Sequence, residues 1–142
     1  MRLHQSIVVR TIAATITVLL LLVPLSALAA PSAQSSNLRC HGEAATIVYV
    51  GYDAAIYGTA GDDVIVVQGG WNRIHASGGR DNICVTGHFN LLEGEAGDDV
   101  ISASGLHNTL SGNGGDDTLQ ADDASNTLRG GDGDNRCNGE SC

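Results

Sequence analysis

The chain has 142 residues, 42% of them hydrophobic, 4% aromatic and 16% charged, with a formal net charge of −9. That length allows one domain at most, and the acidity disfavours nucleic acid and anionic membrane while attracting hard cations. High acidity with few aromatics also describes disordered chains, so the order of the residues has to decide.

Residues 1–29 read as a secretory signal peptide. Arg2 and Arg10 make a basic start, residues 11–30 carry no charge, and Ala27-Leu28-Ala29 supplies the small-x-small pattern before a cut after Ala29. The run is about long enough to span a bilayer. Pro24 and the alanine-rich exit favour cleavage instead, and no cysteine follows to carry a lipid. The expected product is secreted, extracellular and without a stable membrane anchor. It keeps five arginines, no lysine and sixteen acids, a net charge of −11. Residues 30–46 are read as a polar linker leading into an N-terminal cap that closes the first turn.

Residues 47–138 carry a strict period of nine. Ile47, Ile56, Ile65, Ile74, Ile83, Leu92, Ile101, Leu110, Leu119 and Leu128 stand nine apart, and Cys137 continues the column. Disordered chains have no reason to hold such a register. It describes a solenoid, whose units bury one apolar residue each against their neighbours. Two residues ahead runs a second column, Asp63, Asn72, Asp81, Asn90, Asp99, Asn108, Asp117, Asn126 and Asn135. Asp and Asn alternate until the last unit, so the structural period is 18 residues, two nonapeptides per turn. The predicted fold is all-β: a parallel β-roll (β-solenoid) of about five turns, with two sheets turning their apolar columns toward each other and an Asp edge opposite an Asn edge.

On the Asp edge the corners read GTAGDD (58–63), ASGGRD (76–81), GEAGDD (94–99), GNGGDD (112–117) and GGDGDN (130–135). Their fourth residue is always glycine: Gly61, Gly79, Gly97, Gly115 and Gly133. Glycine there permits positive φ and a sharp turn that aims carbonyls at one point. On the Asn edge the same place holds Gly70, His88, Leu106 and Ala124, so that demand is absent.

These corners resemble the hemolysin-type, or repeats-in-toxin (RTX), calcium-binding nonapeptide G-G-x-G-x-D-x-U-x. The resemblance implies a parallel β-roll with Ca²⁺ held between successive loops by aspartate and backbone carbonyls. By position it carries over to Asp63, Asp81, Asp99 and Asp117, with loop carbonyls near Gly61, Gly79, Gly97 and Gly115. It does not carry over to Asn72, Asn90, Asn108 or Asn126. The chemistry is consistent: Ca²⁺ takes six to eight oxygens in flexible geometry, and stacked aspartates repel when bare. An ion between turns makes binding free energy into folding free energy.

The Asn edge needs no metal if its amides stack, each donating to the next. Just before it, Trp71, Phe89 and His107 form an aromatic strip, which reads first as stacking that stabilises the rim. A second reading makes the protein an adhesin or carbohydrate-binding module that grips extracellular polysaccharide through that strip.

Four cysteines in an exported chain read as disulfides, with three connectivities open. Cys40–Cys84 with Cys137–Cys142 is favoured, because the second pair closes a short hook, residues 139–142 serving as the C-terminal cap. Serines, histidines and acids all fall into columns the repeat explains, and no nucleophile–base pair departs from it. The expected function is therefore calcium binding with a structural or binding role, not catalysis.

Overall fold

The computed structural model describes residues 38–142; the signal peptide and the first part of the linker lie outside them. After a short pair of strands, β1 (Arg39–Cys40) and β2 (Glu43–Ala44), the chain winds alternately through two sheets. The larger contains β3 (Ile47–Val50), β5 (Val64–Gln68), β7 (Asn82–Thr86), β9 (Val100–Ser104), β11 (Thr118–Ala121), β13 (Arg136–Cys137) and β14 (Glu140–Ser141). The smaller contains β4 (Ala55–Tyr57), β6 (Arg73–His75), β8 (Leu91–Ala96), β10 (Thr109–Gly114) and β12 (Thr127–Asp132). No helix occurs among the described residues.

The register follows the sequence period throughout. Ile47 pairs with Ile65, Ile65 with Ile83, Ile83 with Ile101, Ile101 with Leu119 and Leu119 with Cys137, every step parallel. On the opposite sheet Ile56, Ile74, Leu92, Leu110 and Leu128 do the same. Each strand from β3 to β12 supplies an inward Ile or Leu, and the row from Ile65 to Leu119 is fully buried. A buried Ile or Leu contributes roughly 1.5–3 kcal/mol. A second inward row tapers from Val67 and Val85 to Ala103, so the interior is thin. A roll with so narrow a core depends on contacts between turns.

The β1–β2 hairpin lies on the outer face of the larger sheet, where Cys40 packs with Val64 and Val66 and forms a disulfide with Cys84, and His41 Nε2 meets Ser102 Oγ at 2.9 Å. The apolar outward residues of β5 attract it there, which leaves β3 and β4 as the outermost strands of the two sheets. At the other end β14 folds back antiparallel onto β13, tied by the Cys137–Cys142 disulfide. That hook ends the larger sheet in a short returning strand, a common way of blunting a sheet edge.

Candidate metal centre

Each Asp-edge corner joins the smaller sheet to the larger, and its aspartate points into the roll. Asp63, Asp81, Asp99 and Asp117 are all buried, Asp81, Asp99 and Asp117 to within 1% of full burial. One oxygen of each later carboxylate is used in a ladder. Asp81 Oδ1 accepts the Asp63 N–H at 2.7 Å, Asp99 Oδ1 the Asp81 N–H at 2.8 Å, and Asp117 Oδ1 the Asp99 N–H at 2.9 Å. The second oxygens, Oδ2 of Asp81, Asp99 and Asp117, are buried without a hydrogen-bond partner. A buried acceptor left unpaired costs about 1–3 kcal/mol, and more when charged.

The last corner indicates what those oxygens face. Asn135 occupies the aspartate position, and its Oδ1 accepts the Asp117 N–H at 2.8 Å as the aspartates do. Its Nδ2 makes long hydrogen bonds to the carbonyls of Gly131 and Gly133, at 3.3 and 3.4 Å in its own loop. An Asp at this position presents an acceptor where Asn presents a donor, against the same kind of loop carbonyls. Oxygen against oxygen in a buried place calls for a proton or a cation. The donor set, carboxylate with loop carbonyls, is the hard-oxygen kind that calcium prefers.

The corner backbone is shaped for this. The second and fourth loop residues take positive φ: Ser77 and Gly79, Glu95 and Gly97, Asn113 and Gly115, Gly131 and Gly133. Sequence reading found the fourth position and missed the second, although the resembled consensus has glycine in both. Holding Ser77 and Glu95 there strains the backbone by about 1–3 kcal/mol each. The first loop residue was missed too. A Cβ on Gly94 would collide with Asp99 Oδ2, and one on Gly112 with Asp117 Oδ2, so these glycines make the space into which the carboxylates turn. The column Gly58, Ala76, Gly94, Gly112, Gly130 was the signal.

The first corner is built differently. Gly61 does not take the positive φ expected of it. Asp63 Oδ2 accepts the Thr59 N–H and Oγ1–H at 2.6 and 2.9 Å, and its Oδ1 accepts from Thr46 Oγ1 at 3.2 Å. Protein donors already surround this carboxylate.

Burial shifts the other three. It pushes the Asp99 carboxyl up to about 7 and that of Asp81 up to about 6, and raises that of Asp117. The ladder N–H opposes the shift in each, and neighbouring aspartates add to it. A carboxyl with a folded pKa above its unfolded one takes up a proton on folding, so the metal-free roll loses stability as pH rises through 4–7. Calcium and protons compete for the same oxygens. Metal-free protein should therefore melt higher at pH 5 than at pH 7.5, while calcium should bind more weakly at pH 5. Thermal melts and calcium titrations at the two pH values check both signs.

On the Asn edge the same position needs no ion. Asn90 Oδ1 accepts the Asn72 N–H at 2.9 Å, and Asn90 Nδ2 donates to the Gly69 carbonyl of the preceding turn at 3.0 Å. Asn108 and Asn126 repeat the pattern with Gly87 and Gly105. The expected chain of amides donating to one another is thus replaced mainly by amide-to-backbone bonds, with one direct pair, Asn90 Nδ2 to Asn108 Oδ1 at 3.0 Å. This edge has its own glycine column, Gly69, Gly87 and Gly105, one residue earlier than the position compared in the sequence. All three take positive φ, and a Cβ on Gly87 would strike the Gly69 carbonyl.

Trp71, Phe89 and His107 stack in succession, with centroids 4.4 and 5.1 Å apart and planes within 12° and 23°. Phe89 uses both faces in the stack, while Trp71 and His107 use one each and Trp71 stays exposed. Each ring-to-ring contact adds stacking along this rim.

The family model described as RTX calcium-binding nonapeptide repeat matches the chain in four copies, over residues 51–83, 89–110 and 111–141. Comparison with curated proteins and with solved structures finds no match.

Proposed function

Because the chain belongs to the RTX calcium-binding nonapeptide repeat family, we propose that it is a secreted protein that holds Ca²⁺ along one rim of its β-roll, with a structural or binding role rather than a catalytic one. The observation that carries this reading is the row of buried, unpartnered Oδ2 atoms on Asp81, Asp99 and Asp117. These three aspartates are the principal ligands, with loop carbonyls near Gly79, Gly97 and Gly115. Asp63, with the carbonyl near Gly61, contributes least, because Thr46 and Thr59 already satisfy it. Export through a signal peptide at residues 1–29 accords with the disulfides Cys40–Cys84 and Cys137–Cys142, which persist in oxidising compartments.

Equilibrium dialysis against calcium tests the count. The three unpartnered oxygens predict three ions per chain, with dissociation constants on the order of 10⁻⁴–10⁻³ M as in other extracellular modules. No uptake by about 10 mM, some ten times the upper end of that range, would remove the proposal.

A further inference from the structure

A second group of metal-ligating side chains lies on the outer face of the smaller sheet, two on its strands and Glu95 at the start of corner 94–99. His75 on β6 pairs in register with Glu93 on β8, so their outward side chains are neighbours. Glu95, held at φ 76° two residues on, also reaches the imidazole. His75 Nδ1 lies 2.7 Å from Glu93 Oε2 and 3.3 Å from Glu95 Oε1. The three ligand atoms lie within 4.8 Å of one another. Their side chains are 25%, 29% and 42% exposed, so a solvated ion can reach them. The Tyr57 ring stacks on the imidazole at 5.3 Å and 11°, which holds the plane of the ring. A comparable group, Cys40, His41 and Cys84, is already committed to a disulfide.

We propose that His75, Glu93 and Glu95 form a binding site for a divalent transition metal of the zinc class. Two carboxylates converge on one ring nitrogen, which can offer them a single proton. Among the described residues no arginine forms an ion pair with either. A divalent ion neutralises both carboxylates at once and accepts the lone pair of the neutral imidazole. One nitrogen with two carboxylate oxygens and a water completes a tetrahedron of the open zinc type. At zinc bond lengths the edges of such a tetrahedron are about 3.4 Å; the His75–Glu95 separation already has that length, and Glu93 needs to withdraw by well under an ångström. Imidazole selects against calcium, which prefers oxygen, so the two metals sort to different sites. The inference stands apart from the calcium reading, because it uses none of the buried aspartates.

The test titrates zinc chloride into the purified, metal-stripped protein, with and without about 10 mM calcium chloride to fill the other rim. Binding is followed by calorimetry, with cobalt(II) absorption in parallel. One zinc per chain is expected in both conditions, and cobalt should give the intense visible band of a tetrahedral site. His75→Ala and the near-isosteric Glu93→Gln should each weaken zinc by on the order of 10–100-fold while leaving the calcium count unchanged. Either variant binding zinc as the parent does, or zinc binding that vanishes when calcium is present, would overturn the proposal. Absence of a saturable one-equivalent phase in the parent would do the same.

Discussion

Ile101→Asp should leave no folded roll, even in saturating calcium. Ile101 is fully buried between the two sheets in the middle of the stack, paired in register with Ile83 on one side and Leu119 on the other. The substitution removes a buried aliphatic side chain, worth about 2–5 kcal/mol. It also leaves a charge or a protonated acid in an interior with no partner, a further penalty of about 3–5 kcal/mol if ionised. Their sum approaches the whole stability of a small domain, about 5–15 kcal/mol. Turns on both sides lose the neighbour they pack on, so the damage cannot stay local. Far-UV circular dichroism and proteolysis in calcium check the outcome; a protease-resistant variant with parental β-signal would show that the core does not run between the sheets as described.

Asp99→Asn should separate calcium binding from folding. The new amide keeps the acceptor for the Asp81 N–H and places a donor where Oδ2 is now unpartnered, as Asn135 does in the last corner. Metal-free stability should rise by about 1–3 kcal/mol, the penalty for a buried unsatisfied acceptor, while calcium at the neighbouring gaps is lost. Asn108→Ala makes the contrasting case. It strips partners from the Asn90 N–H and the Gly87 carbonyl, and should cost about 1–3 kcal/mol with or without calcium. Paired melts and titrations distinguish the two edges. Equal loss of calcium affinity in both variants would mean the edges are wrongly divided.

Much of the fold was legible because a solenoid repeats each instruction. Ten Ile or Leu at one spacing give the register outright, and the Asp–Asn alternation gives the second sheet. The same redundancy exposed the aspartate row. What it hid were features that differ between turns. Thr59 closes the first corner through its own N–H and hydroxyl, a local substitution that the column of aspartates does not announce. Left-handed Ser77 and Glu95 were unreadable from residue type, since neither favours that conformation and only the surrounding turns impose it. The Asn-edge glycines stand at 69, 87 and 105, one residue before the place that holds glycine on the Asp edge. The hairpin on the outer face could not be read from periodicity, because residues 38–46 belong to no repeat and their docking depends on Val64 and Val66 facing outward.

The central claim is that calcium supplies what the buried aspartate oxygens lack, and thermal unfolding of the purified protein at pH 7.5 tests it most directly. Melts followed by far-UV circular dichroism are compared in chelator and in about 10 mM calcium, roughly 100 times the tighter dissociation constant expected for such modules. Each ion bound only by the folded chain then adds about 1.4–2.7 kcal/mol across the expected range of dissociation constants, so the calcium curve should lie well above the other and carry more β-signal at low temperature. Superimposable curves would contradict the account.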